Sequence, residues 1–369
     1  MRIPAERATV LTLLASLRRL TAWCATIAVC AILASTTGQP VAHAAAGREM
    51  LARAIATTKG SYLVYNFGSG HPAPALNGGG NWYEMNHGGH LMIIKNASRR
   101  LAPHLLVDTH RGDQARCERN PGARTAEGLR QASEIYTPLQ AWYRMGKPTI
   151  AINANFFDVR GQKGGSWRST GCSSPLGAFV DNTHGLGRAN QAVTGTVAYA
   201  GKQGLSGGNE AWTSLTTMIL PVGGAPYVLR PKNSKDYDVA TPVIQNLLNK
   251  NAKFVAVAGI GLLSPGKTGQ LHDGGPSAAR TALAYAKQKD EMYIFEGGSY
   301  TPDNIQDLFR GLGSDTAILL DGGGSSAIVL RRDTGGMWAG AGSPKGSCDT
   351  RQVLCDSHER ALPSWLAFN

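Results

Sequence analysis

The chain has 369 residues, 42% hydrophobic and 17% charged, with a formal net charge of +12 at pH 7. That apolar share excludes a disordered polyelectrolyte, and the length suits one large domain or two smaller ones. Lys and Arg are scattered, with no run longer than pairs such as Arg99-Arg100, and aromatics do not alternate with them, which disfavours a nucleic-acid-binding arm. A diffuse positive potential would help to collect an acidic substrate such as a phosphorylated or uronic-acid glycan, and it equally suits a basic export.

The chain opens with the basic stretch MRIPAERATVLTLLASLRRL, runs apolar over about residues 20–33, and reaches VAHAA, a small-x-small cleavage pattern. Residues 1–44 therefore read as a secretory signal peptide, and the apolar run is too short to span a bilayer comfortably. No later segment reaches transmembrane length, so the mature chain is expected to be periplasmic or secreted, with no stable membrane span. Cys24 and Cys30 leave with the signal, and Trp23 and Val29 before them are too large for lipid attachment. Cys117, Cys172, Cys348 and Cys355 remain, an even count that suggests two disulfides in an exported protein. The simplest of three pairings joins Cys348 to Cys355 and Cys117 to Cys172, and the spacing does not suggest zinc.

Residues 47–58 have the pattern of a short amphipathic helix, followed by the strand-like SYLVYNF. Residues 68–89 are rich in Gly, Asn, Pro and His and read as a long irregular loop, in which His87 and His90 have no acidic neighbour to suggest a metal site. LMIIKN and HLLVDTH then read as strands flanking an SRR turn. Three Thr-Pro pairs come next: Thr137-Pro138, Thr241-Pro242 and Thr301-Pro302. A Thr cap followed by Pro at the first helical position starts a helix, since the hydroxyl accepts an otherwise unpaired N–H and the ring presets φ. Each predicted helix leads into an apolar strand: TIAINANFF, FVAVAGIGLL and TAILLDGGG. RTALAY and EMYIF alternate about KQKDE as an antiparallel hairpin would. These elements mix without strict βαβ order, so the expected class is α+β, with a mixed, largely antiparallel central sheet flanked by helices in a single large domain. Residues 45–149 form an N-terminal subregion of unassigned role, and residues 150–369 carry the chemistry.

The most conspicuous stretch is DTAILLDGGGSSAIVL, two apolar strands around Asp321, Gly322, Gly323, Gly324, Ser325 and Ser326. Glycines let backbone N–H groups converge on an anion, and a carboxylate bordering a buried strand is costly without a role. A glycine-rich hairpin turn is the bland alternative. The stretch lacks the Lys of a P-loop, and it ends in Ala where a nucleophile elbow has Gly, which leaves Ser325 a weak nucleophile candidate. Arg280 suits either an anion clamp or a structural pair with Asp273 or Glu296. Asn153 and Asn155 suit either ligand binding or satisfaction of backbone groups.

Taken together, Asn153-Ala154-Asn155-Phe156-Phe157-Asp158, Arg280-Thr281-Ala282, Leu320-Asp321-Gly322-Gly323-Gly324-Ser325-Ser326 and Glu359-Arg360 resemble the phosphodiester glycosidase family over about residues 150–368. Ala284 departs from the family's usual R-[ST]-A-x-G strand. The resemblance implies hydrolysis of a sugar-1-phosphodiester at its glycosidic bond, within an envelope or extracellular polysaccharide. It implies catalytic roles for Asp321, Arg280, Asn155 and Asp158, and substrate contacts from Asn153, Thr281, Gly322, Gly323, Gly324, Ser325, Ser326, Glu359 and Arg360. A phosphate leaving group is already a stable anion, so such an enzyme needs cationic and N–H contacts more than a general acid. No cofactor and no metal is expected. Cleavage of the P–O bond by a phosphodiesterase, or a non-catalytic glycan-binding protein, are the alternatives.

Overall fold

The computed structural model describes residues 64–65, 71–73, 80–85, 89–106, 133–157, 171–173, 175–183, 215–230, 240–265, 276–331, 353–357 and 360–369. The predicted signal peptide, the helix at residues 47–58, Cys117 and Cys348 lie outside them, as do His87, Asp158 and Glu359.

An eleven-stranded sheet contains β1 (Val64–Tyr65), β2 (His71–Ala73), β3 (Gly80–Met85), β4 (Gly89–Lys95), β9 (Val180–Asp181), β10 (Thr216–Pro221), β11 (Tyr227–Leu229), β12 (Phe254–Leu263), β13 (Ala278–Ala286), β14 (Glu291–Tyr300) and β15 (Thr316–Leu319). Its main path is β1-β3-β4-β14-β13-β15-β12-β10-β11. A five-stranded sheet joins β17 (Val353–Ser357), β16 (Ala327–Arg331), β7 (Ile150–Asn153), β18 (Trp365–Phe368) and β5 (Pro103–Leu105) in that order. A small ribbon pairs β6 (Ser133–Glu134) with β8 (Cys172–Ser173). Every described ladder is antiparallel. Cys172 and Cys355 are placed only as backbone within β8 and β17, and their side chains lie outside the described set.

Alternation sends one face of each sheet into a shared core. Met92, Ile94, Leu283, Ile294 and Ile318 of the large sheet meet Ile150, Ile152, Ile328, Leu366 and Phe368 of the small one. The opposite faces are covered by helices: α2 (Pro138–Arg144) puts Trp142 against Ala151, Val329 and Ala367, α3 (Ala240–Asn249) puts Ile244 against Ile219 and Phe254, and α4 (Pro302–Gly311) puts Phe309 beside Tyr293 and Phe295. The architecture is α+β, helix on sheet on sheet on helix, and residues from Ala52 onward form one compact unit.

Two of the Thr-Pro starts act as expected. Thr137 and Thr301 accept from the backbone N–H of Gln140 and Asn304, whose side chains accept in return from the threonine N–H, closing reciprocal capping boxes. In the third, α3 starts at Ala240, so Thr241 and Pro242 already lie inside the first turn. All three helices lead into a strand of the core: β7, β12 and β15.

Two expectations are corrected. Residues 68–89 contain strands, because Trp82 and Tyr83 give β3 the aromatic content to pair along β4 despite the glycines around it. The SRR segment is a one-turn helix, α1 (Ala97–Arg100), entered through Asn96 in the left-handed region at φ 53°.

Candidate active site

β15 is buried at all four positions and is flanked by β13 and β12. Its last residues do not turn back along it. After Asp321, a short 3-10 turn at Gly323–Ser325 hands the chain to β16, which belongs to the other sheet. The hairpin reading of this stretch is thereby excluded: the Gly-Ser turn is a crossover between sheets.

The end of β7 receives that crossover. Asp321 donates its N–H to the carbonyl of Ala154 at 3.0 Å and accepts at its own carbonyl from Asn153 Nδ2 at 2.8 Å. Asn153 Oδ1 accepts from the Thr281 hydroxyl at 2.6 Å and from the Ala327 N–H at 3.0 Å. One buried amide thus ties β7, β13 and β16 together around the aspartate. Asn155, fully buried, donates Nδ2–H to the carbonyls of Leu176 and Ala178, both at 2.8 Å, and accepts from the Ala258 N–H at 3.1 Å. Ser364 Oγ donates to the Asn155 carbonyl at 2.8 Å.

The Asp321 carboxyl lies among different partners. Its Oδ1 accepts the Gly322 N–H at 2.9 Å, and the Ser325 hydroxyl lies close enough to favour the ionised carboxyl. Burial pushes the acid up to about 6, while those two groups and the charges of Arg360 and Arg280 pull it back down. The residue keeps some surface open to solvent. It is therefore a partly desolvated carboxylate with a value near neutrality, acted on by the charges of Arg360 and Arg280.

Arg280 reaches the site from a register shift in β13, where Ala278 and Arg280 pair out of step with β14. Such bulges re-aim a side chain. Its Nη2 donates to the Pro276 carbonyl at 2.8 Å and its Nε to the Tyr300 carbonyl at 3.4 Å, and burial lowers its pKa while Asp321 opposes the shift. A Cβ on Gly322 would stand 2.9 Å from the Ala279 carbonyl and 3.4 Å from Arg280 Nη1, so glycine lets the turn approach the arginine. Gly323, at φ +62°, occupies the left-handed region. Arg360 donates from Nη1 to Ser325 Oγ at 3.2 Å, and its guanidinium carbon lies 5.6 Å from the centre of the Phe157 ring.

Of the residues singled out in the sequence, Asp321, Arg280, Arg360, Ser325 and the three glycines therefore gather at one place, with Asn153 and Thr281 directly behind them. Ser326 is buried in the turn, and its N–H donates to the Gly323 carbonyl. Of the two structural partners expected for Arg280, Asp273 lies outside the described residues, and Glu296 bonds His90, Oε2 to Nδ1 at 3.0 Å, both buried. Burial lowers His90 to about 3, which favours the neutral imidazole. Sequence reading missed this pair. Its signal was the facing of β4 and β14, which places residues 90 and 296 opposite each other. Among the described residues no three His, Cys, Asp or Glu side chains gather as a metal would require, and no helix is long and apolar enough to cross a membrane.

The phosphodiester glycosidase family profile matches residues 146–368. Solved structures with similarity include the zebrafish N-acetylglucosamine-1-phosphodiester α-N-acetylglucosaminidase catalytic domain auto-inhibited by pro-peptide, at 16% identity over 78% of this chain and 77% of that one, with a TM-score of 0.42. A hypothetical protein from Synechocystis aligns at 13% identity over 83% of this chain and 63% of that one, with a TM-score of 0.40. No curated protein sequence gives a significant match.

Proposed function

The chain belongs to the phosphodiester glycosidase family, and from that premise we propose that it hydrolyses the glycosidic bond of sugar-1-phosphodiesters in an envelope or extracellular polysaccharide. The observation that carries this reading is the Asp321 carboxyl on its glycine turn, with Arg280 and Arg360 acting on it from two different segments of the chain. In the reaction the bond from the anomeric carbon to the phosphate oxygen breaks, and the electron pair leaves with the phosphate as a monoester. Water adds to the anomeric carbon and gives up a proton. Arg280, and with it Arg360, neutralises the leaving phosphate, for which a guanidinium fork is well shaped. The N–H groups of Gly323 and Gly324 add donors for the same anion. Asp321, ionised, faces the positive charge that develops at the anomeric carbon.

In this reading Asn153 and Asn155 hold the site rather than touch the sugar, because their amides already serve protein groups. Thr281 acts through Asn153 in the same way. Asp158 and Glu359, neighbours in sequence of Phe157 and Arg360, are assigned to the sugar hydroxyls. Export through cleavage after Ala44, and two disulfides among Cys117, Cys172, Cys348 and Cys355, complete the proposal.

The test is hydrolysis of a panel of sugar-1-phosphodiesters in isotopically labelled water by the mature chain from Ala45. Label in the released sugar is expected. Label in the phosphate would instead identify a phosphodiesterase, and binding without turnover would identify a glycan-binding protein.

A further inference from the structure

Arg280 gives two of its three guanidinium nitrogens to the protein. Nε donates to the Tyr300 carbonyl at 3.4 Å and Nη2 to the Pro276 carbonyl at 2.8 Å. These are the two nitrogens of the fork's side edge, so backbone carbonyls engage both. Nη1 has no acceptor among the described residues. It lies against the glycine turn, 3.4 Å from where a Cβ on Gly322 would stand.

The two carbonyls are not equally well held. Pro276 is exposed. Tyr300 is 1% exposed, and its ring packs edge-on against Phe295, centroids 4.8 Å apart. That ring fills a slot which two glycines leave open: a Cβ on Gly89 would stand 2.5 Å from the Tyr300 hydroxyl, and one on Gly297 2.5 Å from its Cε2. On its other side, the peptide that carries the Tyr300 carbonyl also carries the Thr301 N–H, which donates to Asn304 Oδ1 at 3.1 Å in the capping box of α4. A peptide group is planar, so a ring seated at one end and a capped N–H at the other fix the direction of the carbonyl between them. We propose that Tyr300 is a positioning residue: its seated ring fixes the carbonyl that holds Arg280 Nε, and this directs Nη1, rather than the side edge, to the substrate's phosphate. The second half rests on the phosphodiester reading above, and the hold on Nε does not.

The experiment is nitrogen NMR of the arginine side chains in the full chain, with Arg280→Lys to assign the Arg280 resonances. Tyr300→Ala is expected to speed exchange of the Arg280 Nε–H with water about tenfold, the fold-change that goes with one hydrogen bond. The backbone amide of Ile318, in the neighbouring strand β15, is expected to keep its protection, which separates a local loss from general loosening. Tyr300→Phe keeps the ring and is expected to exchange as wild type. Should the alanine variant not fold, Gly89→Ala takes its place, since the added methyl group meets the Tyr300 hydroxyl. Combining it with Tyr300→Phe, which removes that hydroxyl, is expected to restore the wild-type rate. Added inorganic phosphate is then expected to shift the Nη resonances of Arg280 while Nε–H stays protected. Nε–H exchange that is unchanged in Tyr300→Ala, or in Gly89→Ala where that variant replaces it, overturns the proposal. So does phosphate that moves Nε more than Nη. Phosphate that moves neither, with Nε–H still answering to the substitutions, sinks the reading of Arg280 as an anion clamp and leaves the role of Tyr300 standing.

Discussion

Two strand ends meet at the site, and they carry their polar residues to opposite purposes. At the end of β7, Asn153 and Asn155 are as buried as any leucine of the core, and their amides serve the backbone of four other segments. At the end of β15, Asp321 has a backbone held equally firmly but a carboxyl that accepts one N–H and otherwise lies beside one hydroxyl and in the fields of two arginines. Each asparagine amide makes three of its four possible hydrogen bonds to the protein, whereas the aspartate carboxyl takes one backbone N–H. Engagement of that kind marks scaffold, whereas an acid kept partly desolvated beside cations has interactions left to give to something else.

The comparison is broken most directly at Asp321. Asp321→Asn is expected to lower kcat/KM by on the order of 10³-fold or more, since it removes the charge that meets the developing oxocarbenium ion. The same substitution should stabilise the protein. An acid whose folded-state value is raised to about 6 binds its proton more tightly when folded, so stability is lost as pH rises from the ordinary carboxylate range through that value. Above it the ionised group costs about 1–2 kcal/mol after allowance for its partial exposure. Denaturation at pH 8 should show the asparagine variant more stable than wild type, with the gap closing near pH 4. Wild-type activity should run the other way, falling as pH drops through about 6.

Asn155→Ala should do the reverse of Asp321→Asn. It leaves two carbonyls and one N–H without their buried partner, and about 2–4 kcal/mol of stability should go with them, read by urea denaturation. Arg280→Lys keeps the charge and loses the fork. It should lower kcat/KM about 10- to 100-fold with little change in melting temperature. Smallest is Gly323→Ala, where nothing stands in the way of a methyl group and only the φ of +62° objects, at about 1 kcal/mol.

Much of this was written locally in the sequence. The limits of β12, the β13–β14 hairpin and two of the three Thr-Pro helix starts follow from period, β-branched content and local capping chemistry, all of which act within a few residues. The identity of Asp321 as the unusual carboxylate was legible for the same reason. What was not legible depends on partners far along the chain. Nothing near Asn155 announces that its amide will serve Leu176, Ala178 and Ala258. Nothing near His90 points to Glu296, 206 residues away. The glycines also read the same in a hairpin and in a crossover, and only the pairing of β15 and β16 with different sheets separates the two.

That crossover has a consequence for how the protein lives and dies as a catalyst. The carboxylate belongs to neither sheet but to the seam between them, with Arg280 anchored on one side and Arg360 on the other. A folding intermediate in which each sheet has formed, but the two have not docked, would have nearly all the secondary structure and no site. Activity should therefore arrive last in refolding and vanish first under stress. It reports the joint between the layers rather than the layers themselves.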